Sequence, residues 1–134
     1  MSTHATGMFE IKNWDENPFD EREGARLVRT RITKIFHGDI EGESAGEFLM
    51  AYAREEGSAA YVGFERIAGR VHRRSGSFVL QHNATSDGPR GAQSATWSVV
   101  PDSGTDGLRG LRGEARIINE PDGGHTFTLD YDFE

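Results

Sequence analysis

The chain has 134 residues, 15 basic and 22 acidic side chains, a formal net charge of -7 and no cysteine. That length fits one domain with one core, and the negative balance disfavours nucleic acid and anionic membrane surfaces as partners. Without thiols there is no disulfide framework, thiolate zinc site or cysteine nucleophile. No leader-like segment opens the sequence and no apolar run approaches the roughly 20 residues of a spanning helix, so a cytoplasmic protein is expected. The 17 glycines are dispersed along the chain, which is the punctuation of an all-β fold. A single domain over residues 1–134 is expected, with residues 1–6 flexible.

Residues 7–14 alternate Met8, Glu10 and Lys12 against Phe9, Ile11 and Asn13, the period of a half-buried strand. "DENPFDEREG" (15–24) reads as a solvated loop and a lid over a cavity mouth. Residues 27–36 place Val28, Thr30, Ile32 and Phe36 on one face and Arg29, Arg31 and Thr33 on the other, which should meet water. Glycines 38 and 42 bend the chain into a third strand with Phe48, Met50 and Tyr52 on one face; a helix over 45–56 is the weaker rival. A turn at Gly57-Ser58 leads into a strand through Ile67, and a turn at Ser75-Gly76 into "RRSGSFVLQHNAT". "SATWSVVP", "GEARIINE" and "HTFTLDYDF" complete the series, the last two joined by the turn Pro121-Asp122-Gly123-Gly124. These elements predict an all-β, eight-stranded antiparallel up-and-down β-barrel, whose closure removes exposed edges. Its interior is either filled by side chains or holds one small ligand.

The segments "GDIEGES", "LMAY", "YVGFERIAG", "RSGSFVLQH", Trp97 with "VVP" and "SGT" after it, and "TLDYDFE" together resemble a family of small bacterial proteins of unknown function. That family is grouped with the allene oxide cyclase-like, calycin-type barrels, and the resemblance spans Met8 to Glu134. It implies an eight-stranded barrel with a cavity, often in an oligomer, and no established reaction. The wider group includes plant enzymes that cyclise an unstable epoxide, dirigent proteins and bacterial polyene cyclases, whose barrels impose a shape on a reactive apolar molecule. No motif aligns with theirs residue by residue, so no catalytic residue carries over.

Glu65 lies mid-strand on a face with Gly63 and Ile67. It is either a pocket carboxylate suited to acid or base work, or the partner of Arg66, Arg70 or Arg73 across strands. Gln81 and His82 take opposite faces, Gln81 with Ser77 and Val79, His82 with Phe78 and Leu80, so the interior receives only one. If the bulky face fills the core, His82 is a pocket imidazole able to move a proton near neutrality. A histidine satisfied within a core is the plainer alternative. Tyr52, Tyr61, Trp97 and Tyr131 offer aromatic surface with polar tips.

"GTDGLRGLRG" lacks the strand-to-helix context of a phosphate loop and reads as a glycine-rich crossing. No histidine pair has local metal-ligand spacing, and no serine sits in a nucleophile elbow. The candidate catalytic residues are Glu65 and His82, and the candidate ligand contacts Tyr52, Gln81 and Trp97, with no metal or cofactor. The expected ligand is a hydrophobic small molecule, acted on, if at all, by cofactor-free isomerisation or cyclisation. The alternative is a side-chain-filled barrel that serves as a structural or interaction protein. Homo-oligomerisation is expected either way, because "SFVLQ" and "WSVV" are apolar on both faces.

Overall fold

A computed structural model describes residues 2–88 and 93–134. Among the described residues, eight strands, β1 (Thr3–Arg22), β2 (Ala25–Gly38), β3 (Ile40–Ala53), β4 (Ser58–Val71), β5 (Arg74–Asp87), β6 (Gln93–Val99), β7 (Leu111–Asn119) and β8 (His125–Phe133), follow one another, with a short 3-10 turn at Asp106–Leu108 between β6 and β7. Each strand pairs antiparallel with its neighbour in sequence. β8 returns to β1 through Thr3↔Tyr131 to Phe9↔His125, so the sheet closes into a ring.

The alternation in β2, β3 and β5 is realised as read, with Val28, Ile32, Phe36, Phe48, Met50, Phe78 and Leu80 all buried. The segment 45–53 is strand and not helix. Three expectations are corrected. Residues 3–6 are not a loose lead, because they already pair with β8 and Ala5 is fully buried. Residues 15–22 are not a lid loop but the continuation of β1, paired with β2 from Asp15↔Arg31 to Arg22↔Ala25. Its charges face partners across the strands, as Glu21 does Arg26, whose side chains lie 3.8 Å apart. Past Phe9, β1 is bonded to β2 alone, so Pro18, which has no N–H to donate, occupies a free edge beside a register shift.

The β4–β5 turn lies at His72-Arg73, not at Ser75-Gly76. Gly76 has a different task. A Cβ there would stand 2.1 Å from the Thr105 carbonyl oxygen, because the β6–β7 connection lies directly on β5. That connection replaces a strand along the lower half of β5: Thr105 N–H donates to Ser77 O at 2.9 Å and Val100 N–H to Val79 O at 2.9 Å. Leu108 of the "GTDGLRGLRG" crossing is thereby buried in the closed end of the ring, with Ile40, Val71, Phe78, Leu111 and Leu129. The larger of the two clusters of buried apolar side chains is centred in that half.

Candidate functional site

Above the apolar half, the interior turns polar: Thr30, Lys34, Ser44, Glu65 and His82 are all buried. Strand parity puts them there, since each lies an even number of residues from apolar core positions of its own strand. Register then gathers them, with Lys34 opposite Ser44 and Gly63 opposite His82. The small residues around Glu65 make room for a protein ring and not for a ligand. A Cβ on Gly63 would lie 2.4 Å from Phe48 Cδ1, and one on Gly46 2.8 Å from Phe48 Cε2. Phe48 fills that space and meets the His82 ring edge-on, with centroids 5.1 Å apart.

Glu65, 1% exposed, is fully satisfied. Oε1 accepts the His82 Nε2–H at 2.8 Å and Oε2 the Ser44 hydroxyl at 2.5 Å. Lys34 Nζ lies 3.4 Å from both oxygens and 4.4 Å above the Phe9 ring. Burial pushes the carboxyl pKa up, but the His82 hydrogen bond, the charges of Lys34 and His82 and the Ser44 hydrogen bond outweigh it and hold the value down to about 2. For His82, burial outweighs the Glu65 contacts and lowers the pKa, aided by Lys34. The pair at neutral pH is therefore carboxylate and neutral imidazole.

Glu65 also fixes the tautomer, because a carboxylate can only accept and the proton must sit on Nε2. Nδ1 is left with its lone pair, 3.4 Å from the Tyr61 hydroxyl. The Trp97 indole N–H donates to the same Tyr61 oxygen at 3.2 Å. Burial raises the Tyr61 pKa, against the Trp97 hydrogen bond and with the Glu65 charge. A chain of Glu65, His82, Tyr61 and Trp97 results, running from the wall of the ring to its open space.

That space is a cavity of about 480 Å³ reaching toward the open end. Lys34, Phe48, His82, Tyr61 and Trp97 form part of its lining, with Trp14 and Tyr52 nearer the rim. Glu16 ties the rim together, accepting the Trp14 indole N–H at 2.9 Å and the Tyr52 hydroxyl at 2.7 Å. These two hydrogen bonds and Arg26 lower its pKa, while burial and the bond to Glu16 raise that of Tyr52 to about 12.

The structure thus brings together Tyr52, Glu65, His82 and Trp97, along with Tyr61. Gln81 is turned away. It is exposed on the outer face and lines a separate external groove with Phe19, Leu49, Val62 and Phe64. Tyr131 lies in the closed half, hydrogen-bonded to His72. The partners expected for Glu65, namely Arg66, Arg70 and Arg73, are replaced by Lys34, Ser44 and His82. Lys34 is the residue that sequence reasoning missed, although position 34 falls on the inward face between Ile32 and Phe36 and a charge in that row was visible. Ser44 and Glu16 gave no such signal, because only register and the continuation of β1 bring them to the site.

Among the described residues, no three His, Asp or Glu side chains are grouped so as to hold a metal ion, and no helix is long and apolar enough to cross a membrane. No curated protein matches the chain. A crystal structure of a protein of unknown function from the DUF3224 family of Shewanella oneidensis MR-1 is similar to it, at 35% identity and a TM-score of 0.86, covering 100% of this chain and 99% of that one. The DUF3224 family, proteins of unknown function, matches residues 5–131. With nearly its whole length matched, the chain belongs to the DUF3224 family.

Proposed function

We propose that the protein is a small-molecule-binding β-barrel of the allene oxide cyclase-like type that holds an apolar or aromatic compound in the cavity above Glu65 and His82. We further read it as a cofactor-free isomerase or cyclase. One observation carries this: a neutral imidazole, locked in one tautomer by a buried carboxylate, opens through Tyr61 onto an aromatic-lined cavity beside the Lys34 ammonium. Nδ1 of His82 takes a proton from an activated carbon of the ligand, directly or by way of the Tyr61 hydroxyl. Lys34 stabilises the oxyanion that develops on a conjugated carbonyl. Return of the same proton to a different carbon completes an isomerisation; in a cyclisation the carbanion closes onto an electrophilic carbon of the same ligand and the resulting anion takes the proton back, in both cases without net oxidation. Glu65 acts as the orienting group and not as the proton carrier, since all its contacts favour the ionised form.

The test has two stages. Tryptophan emission is titrated with an aryl ketone such as 1-indanone, because both tryptophans of the chain line the cavity. Exchange of the ketone's α-hydrogens for deuterium is then followed by NMR. Binding with exchange that falls at least tenfold in His82→Ala supports the whole reading. Binding without exchange leaves a carrier, and absence of binding removes the proposal.

A second reading concerns assembly and rests on a different observation. Phe19, Leu49, Val62 and Phe64 are each more than half exposed on the outer face, where Leu49 and Val62 are cross-strand neighbours. We assign this face to contact between copies of the chain, since the adjoining Arg29 and Arg31 both pair with Glu47 and leave a single net positive charge beside the apolar residues. Light scattering at micromolar concentration should give an oligomer for the native chain and a monomer for Phe64→Asp. A monomeric native chain would dismiss this reading.

A further inference from the structure

At the end of the ring opposite the cavity mouth, the β4–β5 turn is built in a way that hairpin geometry alone does not require. Its first residue, His72, has a left-handed backbone (φ 53), where glycine or asparagine is the easy choice. The imidazole is put to use: Nδ1 lies 2.5 Å from the Tyr131 hydroxyl and Nε2 3.6 Å from Asp39 Oδ2. The His72 N–H donates to Asp39 O at 2.7 Å, and Arg70 donates to the His72 carbonyl at 2.7 Å. Asp39 is itself occupied, accepting the Thr6 N–H at 3.0 Å. The turn and its side chains form one fixed assembly beside a cleft of about 430 Å³.

Three guanidinium groups line that cleft. Arg70 is neutralised by Glu41 at 2.9 Å. Arg74 lies 4.1 Å over the Phe133 ring, which holds the group in place without cancelling its charge, and it has no carboxylate partner among the described residues. Arg73 likewise has none. Two uncompensated cations side by side in a chain of net charge -7 form an isolated basic spot. Among the described residues that line the cleft, Asp39 is the one acid, and it is committed to Thr6 and His72. Arginine forks favour oxyanions, and the two full charges of Arg73 and Arg74 match a phosphate dianion better than a singly charged carboxylate.

We propose that this cleft binds a phosphate group, with Arg73 and Arg74 as its contacts, beside the turn that His72, Tyr131 and Asp39 hold in place. The site is separate from the cavity and does not depend on the reading given above for it. The probe is inorganic phosphate, titrated at constant pH and ionic strength against sodium chloride and sodium acetate and followed by amide NMR shifts. Saturable shifts at residues 70–74 with phosphate, at a Kd in the millimolar range or below, are expected. The double substitution Arg73→Ala/Arg74→Ala should weaken them at least tenfold, while Arg116→Ala, on the outer face of β7, should not. Phenyl phosphate distinguishes the source: tighter binding identifies a phosphate carried on an organic molecule, and equal binding the free anion. Shifts that chloride or acetate reproduces, or phosphate binding that survives in the double variant, overturn the proposal.

Discussion

Replacing Glu65 with glutamine keeps the volume of the side chain but removes the one negative charge in the polar layer. The Lys34 ammonium, 7% exposed and 3.4 Å from that carboxylate, would then be left without a counter-ion in the interior. Breaking one side of a buried pair costs about 3–5 kcal/mol, most of it the stranded charge. For a domain of this length, that corresponds to a fall in Tm of roughly 10–20 °C. Lys34→Met removes the stranded charge and fills its space with apolar atoms. The double variant Glu65→Gln/Lys34→Met should therefore be more stable than Glu65→Gln alone, a strong departure from additivity. Urea and thermal unfolding at pH 7, followed by circular dichroism, measure all four corners of the cycle. A loss below about 1 kcal/mol for Glu65→Gln, or additive losses in the double variant, would refute the view that the carboxylate holds the layer together.

Acid should unfold the protein through the same residues. The folded Glu65 carboxyl, at about 2, lies below its ordinary value of 4.5, so its contribution is complete above 4.5 and is lost as pH falls toward 2. That contribution is about 3 kcal/mol, and Glu65→Gln should flatten this limb of a stability-against-pH curve. The folded His82 pKa also lies below its ordinary 6.5, so its contribution declines as pH drops below that value. Long-range ¹⁵N NMR at pH 7 should find His82 protonated on Nε2 alone, and a mixture of tautomers in Glu65→Gln; Nδ1 protonation in the native protein would contradict the proton path through Tyr61. Gly63→Ala places a Cβ 2.4 Å from both the Glu47 carbonyl oxygen and the Phe48 ring, and should cost about 2–3 kcal/mol in urea unfolding. A neutral result there would mean that Phe48 is not held as tightly as its packing implies.

The strand pattern was largely legible because one side of most strands is buried, and burial on one side writes a period of two into the residues. The pattern failed where that cause is absent. Residues 15–22 are mostly exposed, so no alternation marks them, and their charges read as solvation when they are cross-strand partners. Gly76 suggested a turn because glycine permits one, yet it is needed for the close approach of residue 105 from a distant connection. In the site, parity chose His82 over Gln81 for the interior once the bulky face of β5 was known to be the core. Parity also placed Glu65 correctly, but its partners lie on β2, β3 and β5, and only register determines which residues of those strands meet it.

The junction of β6 and β7 gives the ring an uneven mechanical character. Those strands meet only at Trp97↔Ala115 and Ser98↔Glu114, whereas the ladders linking β2 to β5 run almost their full length. Below the junction, the connecting segment is fastened to β5 and does not bridge the gap. The ring resembles a bracelet with a clasp, and the clasp contains Trp97, a wall of the cavity. Local opening there exposes little apolar core and costs far less than global unfolding, so amides of residues 94–99 should exchange with solvent well before those of β3 and β4. A ligand stacked on Trp97 would close the clasp, and slower exchange in this strand would report occupancy of the cavity without any knowledge of what turnover produces.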